Sequence, residues 1–171
     1  MKKTLIVNMN YVDIEGDILD LSCDDNGIIY SISKEIEEEI SVDYVDENTR
    51  GKLKGCKYDA CTFFFSLNNM WRKRQKISII KEVKNYLKDG GKIYLWDVNK
   101  KRGKKINNKV EIILPNGKIK GGVLRNNNIL TKCNYEEILS ILEKYYIIED
   151  SKVWEEMFFI KAKYKNNIRK E

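Results

Sequence analysis

Apolar positions along this chain fall into continuous runs, helical stripes and alternating stretches. Asp17 to Leu21 is a short apolar run interrupted by one acid, Asp20, and the turn-forming cluster from Ser22 to Gly27 follows at once. That pattern predicts a central strand ending in a tight turn. Tyr58 to Leu67, YDACTFFFSL, is continuously apolar over a strand's length and suits a parallel strand buried on both faces. Lys92 to Asp97 predicts a third strand. These three are expected to be parallel neighbours with the first in the middle.

The stripes predict helices between them. Ile77, Ile80, Val83, Tyr86 and Leu87 recur at helical spacing within Arg72 to Lys88, and Asp89-Gly90-Gly91 is expected to cap that helix. Asn134 to Tyr145 predicts an amphipathic helix capped by Asn134, with Ile138, Leu139, Ile141 and Leu142 inward. Ile28 to Glu39 reads as a helix on Ile28, Ile29, Ile32 and Ile36, with a strand over Gly27 to Ser33 as the competing reading. Ile40 to Asp46 alternates and ends in acids, as a second strand would. Val110 to Leu124 predicts a hairpin turning at Pro115-Asn116-Gly117. Tyr146 to Glu149 and Glu156 to Tyr164 predict two closing strands, and residues 1–15 an edge strand or an extended arm. The sum is a single α/β domain over residues 1–171, with a doubly wound, mostly parallel sheet and an antiparallel closing strand.

On these residues the chain resembles the class I S-adenosylmethionine-dependent methyltransferases. Asp20-Leu21-Ser22-Cys23-Asp24-Asp25-Asn26 lies on that family's first motif, with Ser22, Asp24 and Asn26 at its three glycine positions. IIKEVKNYLKDGGKIYLWD resembles the family's signature of helix, two glycines, strand and acid. The interval from Asp20 to Asp59 is too short for two full βα units, so the front half is shortened. The resemblance implies a Rossmann-like sheet binding S-adenosylmethionine at its strand ends. It places Asp20, Ser22, Asp24, Ser66 and Asn68 at the cofactor, and either Asp43 or Asp46 at the ribose. It also implies Tyr11, Asn69, Trp71 and Asp97 on the substrate side, a packed helix start being the other reading of Trp71. The hairpin at 110–124 stands where the family often inserts the substrate wall, and the arm at 1–15 where it covers the cofactor.

Composition narrows the chemistry. The chain has 171 residues and no histidine, and its four cysteines form no C-x-x-C pair. Cys-His zinc sites and Ser-His or Cys-His nucleophiles are thereby excluded, and no metal is expected. Methyl transfer asks little of such groups, because alignment of a lone pair with an activated methyl carries most of the rate. No apolar run reaches the roughly 18 residues of a membrane span, and no secretory signal follows Met1, so a cytoplasmic protein is expected. The net charge of +6 is concentrated in Lys100 to Arg125, with a basic loop expected over Lys100 to Lys109. A Lys- and Asn-rich composition throughout accounts for that charge without nucleic acid, and no such partner is expected. Three functions compete: methyl transfer to a small molecule, a catalytically degenerate relative that binds a protein or another ligand, and methyl transfer to nucleic acid.

Overall fold

The continuous apolar runs become adjacent parallel strands. The protein is represented by a computed structural model that describes residues 2–22, 42–44, 55 and 57–165, with backbone alone for 42–44. Its strands are β1 (Thr4–Asn8), β2 (Ile18–Asp20), β3 (Val42–Tyr44), β4 (Tyr58–Phe64), β5 (Leu87–Val98), β6 (Ile106–Ile113), β7 (Ile119–Asn126), β8 (Tyr146–Trp154) and β9 (Met157–Tyr164). Two helices are described, α1 (Lys73–Val83) and α2 (Tyr135–Leu142). The expected helix or strand within 27–39 lies outside the described residues, as do Cys23, Asp24 and Asp46.

Six strands form the main sheet in the order β3-β2-β4-β5-β9-β8. The first four are parallel, β9 runs antiparallel to β5, and β8 antiparallel to β9. The antiparallel closing strand is therefore present. Of the three expected neighbours, however, the middle one is β4, and β2 lies between β3 and β4. β4 is buried at six of its seven residues, and the position between β2 and β5 covers both of its edges as well as both of its faces.

The glycines at 90 and 91 do not cap the helix. α1 ends at Val83, and β5 already begins at Leu87. Tyr58 pairs with Leu87 but Ala60 pairs with Lys92, so β5 bulges opposite Asp59, and Gly90 takes a φ of +77° there. The buried stripe of α1 is Lys76, Ile79, Ile80 and Val83, and Ile77 is only half-buried. In α2 the cap is as expected, Asn134 Oδ1 accepting from the Glu137 N–H at 2.9 Å.

Both described helices cover one face of the main sheet. Ile79, Ile80, Val83, Ile138, Ile141 and Leu142 pack there with Cys61, Phe63, Ile93, Leu95, Phe158 and Ile160. The opposite face is covered by a second sheet of order β1-β6-β7. The hairpin turns at Pro115-Asn116-Gly117 as expected, and its strands start and end farther out, at Ile106 and Asn126. Residues 106–109, expected in the basic loop, therefore belong to β6. β1 joins this small sheet parallel to β6, so the arm pairs with the hairpin and does not extend the main sheet. Alternation explains the choice: Leu5 and Val7 are buried against Ile18, Phe64 and Trp96, while Thr4, Ile6 and Asn8 face outward. Each such side chain stabilises the packing by about 1.5–3 kcal/mol.

Candidate functional site

The chain leaves β2 toward β3 on one side and returns to β4 on the other. The carboxyl ends of β2 and β4 therefore form a topological switch point, the place where open α/β sheets open a ligand crevice.

On the β2 side, Asp20 is buried, and its Oδ1 accepts from the Thr62 hydroxyl at 2.8 Å, the Ser22 N–H at 3.1 Å and the Ser22 hydroxyl. Ser22 Oγ in turn accepts from the Phe64 N–H at 3.2 Å. The turn after β2 is thus tied to the end of β4 through side chains. Burial pushes the Asp20 carboxyl up, against the opposing pull of the Ser22 and Thr62 hydrogen bonds. Asp43 is in β3 beside Leu19, which places its backbone on the same sheet edge.

On the β4 side the backbone is strained. Phe65 has a φ of +53°, a region that bulky residues rarely occupy and that recurs at functional turns. Two neighbours hold it. The Phe65 N–H donates to the Trp96 carbonyl at 2.9 Å, and its carbonyl accepts from Asn68 Nδ2 at 2.8 Å. Asn68 is oriented by Asp97, whose Oδ1 accepts from Asn68 Nδ2 and from the Val98 N–H, both at 2.8 Å. Asp97 Oδ2 accepts from the Leu67 and Asn68 N–H groups at 2.8 and 3.1 Å. Burial raises the Asp97 carboxyl from its ordinary 3.8 to about 6, although these hydrogen bonds favour the carboxylate.

The network extends into the hairpin. Asn126 Nδ2 donates to the Asn68 carbonyl and to Asn68 Oδ1, and Thr131 Oγ1 also lies within reach of that amide. Lys100, expected in the exposed basic loop, is buried instead, and its ammonium donates to the Asn128 and Thr131 carbonyls at 2.8 and 2.9 Å. Burial lowers its pKa.

Ser66 stands between these two halves. Its side chain is buried, and its hydroxyl is, among the described residues, the one buried side-chain polar atom without a hydrogen-bond partner. Such an orphan needs an explanation, because an unpaired buried hydroxyl costs free energy.

Asp20, Ser22 and Ser66 thus stand at the adjoining carboxyl ends of β2 and β4, where the switch point predicts the crevice. Asn68 and Asp97 adjoin it, but their polar atoms are spent on each other and on the turn, so they position Phe65 and Ser66. Asn69 and Trp71 are exposed just beyond, and Trp71 stacks under the Arg72 guanidinium at 5.3 Å and does not pack on the sheet. Tyr11 lies elsewhere, 88% exposed at a separate cavity beside β8 and β9. Thr62, Asn126 and Thr131 were not anticipated. Thr62 carried a signal, a hydroxyl inside an otherwise apolar run, whereas Asn126 and Thr131 carried none. Among the described residues no group of acids and cysteines is arranged to hold a metal ion.

The parallel order, the switch point and the antiparallel closing strand give the chain the fold of the class I S-adenosylmethionine-dependent methyltransferases. Three solved structures illustrate the likeness. A protein of Pyrococcus horikoshii OT3 matches with a TM-score of 0.58 at 18% identity, over 92% of this chain and 85% of its own. An S-adenosylmethionine-dependent methyltransferase from Clostridium acetobutylicum matches with a TM-score of 0.57 at 14% identity, over 90% of this chain and 85% of its own. Another from Methanosarcina mazei gives 0.55 at 15% identity, over 91% and 95%. At these identities the likeness is one of fold. No family model matches the sequence, and neither does any curated protein.

Proposed function

We propose that the protein transfers a methyl group from S-adenosylmethionine to a small-molecule acceptor, on a doubly wound frame. The orphan hydroxyl of Ser66 carries this reading. It lies at the carboxyl end of β4, next to a strained turn and across a switch point from Ser22, and a bound ligand there would supply its missing partner.

The residues present fit such a cofactor in kind. Ser22 and Ser66 offer small hydroxyls on two adjoining strand ends. On the sequence resemblance alone, Asp43 or Asp46 is assigned to the ribose and Asp24 to the amino-acid end of the ligand. When bound, S-adenosylmethionine supplies a methyl group already activated by its sulfonium. The chain's own residues then have to orient and exclude water, and the clamp from Asp97 through Asn68 to Phe65 provides a fixed turn for that purpose. Asn69 and Trp71, both exposed after the β4 turn, are the residues proposed for the acceptor side, and Asp97 acts through the turn. Tyr11 stays outside this assignment, because it borders the separate cavity.

One observation favours the competing reading of a non-catalytic relative: the polar groups of Asp20 and Ser22 are already engaged with Thr62, Phe64 and each other. Calorimetric titration with S-adenosylmethionine and S-adenosylhomocysteine decides between the two. Saturable binding that weakens in Ser66→Ala supports the methyltransferase. No saturation at millimolar ligand overturns it.

A further inference from the structure

A second cavity, of about 480 Å³, lies between the small sheet and the outer strands of the main sheet. Its floor is aromatic, with Tyr94 and Trp96 of β5 and Phe159 of β9, and the Trp96 and Phe159 rings are 4.9 Å apart. Its far wall is β8. Two contacts span it from β1 and the segment after it. At one end Trp154 Nε1 donates to the Ile6 carbonyl at 3.3 Å, and at the other the Tyr94 hydroxyl donates to the Asp13 carbonyl at 2.9 Å. The space is therefore held open by fixed elements on both sides, and its volume is that of a small-molecule site.

The charges in the cavity divide into used and unused groups. Lys161 is used, paired with Asp13 at 2.9 Å and Glu149 at 3.8 Å and lying 5.6 Å over the Tyr94 ring. Asp150 and Lys152 are unused. They stand two residues apart on β8, so they share the face that lines the cavity, and neither has an ion pair or side-chain hydrogen bond among the described residues. An unpaired acid and an unpaired base at that spacing, beside aromatic faces, match a ligand with a planar ring and an ammonium-carboxylate end. We propose that this cavity binds an aromatic zwitterion of the amino-acid class, its ring on Phe159 and Trp154, its ammonium at Asp150 and its carboxylate at Lys152.

This is a site apart from the cofactor crevice. Its floor begins one strand beyond β4 and extends to β8, about 10–15 Å across the sheet at the usual strand spacing of ~4.8 Å. The inference does not depend on methyl transfer.

Titration with L-tryptophan and with indole tests it. L-tryptophan should saturate, and indole, lacking the zwitterion, should bind at least about tenfold more weakly, as loss of hydrogen bonds to charged groups requires. The double variant Asp150→Asn/Lys152→Gln changes only exposed side chains and should abolish that preference, with melting temperature and S-adenosylhomocysteine affinity unchanged. The proposal is overturned if L-tryptophan does not saturate by about 10 mM, if indole binds as well to the wild type, or if the preference survives the double variant. It is equally overturned if the double variant shifts S-adenosylhomocysteine affinity, which would merge the cavity with the crevice. Binding of L-tryptophan without any binding of S-adenosylhomocysteine would support this site and sink only the methyltransferase reading.

Discussion

Replacing Asp97 removes the group on which the β4 turn depends. Its two oxygens accept four hydrogen bonds, three from backbone N–H groups and one from the Asn68 amide, and all four donors belong to buried residues. Asp97→Ala leaves those donors buried and unpaired, and should cost about 3–5 kcal/mol of stability at pH 7. Asp97→Asn keeps the volume but turns an N–H₂ group toward two N–H donors, so it should also destabilise, by a smaller amount. The two variants separate packing from charge through their pH dependence. In the folded protein burial raises the Asp97 carboxyl to about 6, against 3.8 ordinarily. A carboxyl raised on folding contributes stability that is fully present below the unfolded value and is lost as pH rises through the folded one. That difference corresponds to about 3 kcal/mol. Urea melts of wild type and Asp97→Asn at pH 4 to 7 measure it, since all other carboxyls cancel in the comparison. The wild type should lose about 2–2.5 kcal/mol of this relative to the Asn variant across pH 4 to 7, the remainder being lost below pH 4. A difference independent of pH would refute the assignment of Asp97 as a buried titrating hub.

Other outcomes follow from single contacts. Ser66→Ala should change stability by less than about 0.5 kcal/mol, because no hydrogen bond is lost, yet weaken S-adenosylhomocysteine binding several-fold; unchanged affinity would place the hydroxyl outside the site. Ser22→Ala removes the link between Asp20 and the Phe64 N–H and should cost about 1–2 kcal/mol in a thermal melt, where a loss below about 0.3 kcal/mol would show the link to be idle. Gly16→Ala combines a φ of +78° with a methyl group 2.3 Å from Asp59 Oδ2, so at least about 2 kcal/mol should be lost, and a stabilised variant would contradict that geometry. The exposed bases Lys101, Arg102, Lys104 and Lys105 should give no nucleic-acid binding at physiological salt by fluorescence anisotropy; saturable, steeply salt-dependent binding would reopen that reading.

Local pattern by itself determined the elements whose residues leave one option. The run from Tyr58 to Phe64 can be satisfied only by burial on both faces, and a buried parallel strand follows from it. Asn134 before an amphipathic stripe specified a helix start, and Pro115-Asn116-Gly117 a hairpin turn, because both depend on contacts a few residues away. The glycines at 90 and 91 show where that reasoning ends. A helix cap and a strand bulge both need a left-handed residue, and only pairing with Tyr58 and Ala60 decided for the bulge. Likewise the alternation in Thr4–Asn8 announced a strand but not its partner, since the apolar face of β1 is met by residues contributed from β2, β4, β5 and β6. The same limit applied to the site. Asp20 and Ser22 were legible beside the first strand, but whether Asn68 and Asp97 faced a ligand or each other depended on contacts about thirty residues apart in sequence. Lys100 looked like one more surface base until the carbonyls of Asn128 and Thr131 enclosed it. Side-chain type restricts what a residue can do, and the long-range packing that buries it selects which of those things it does.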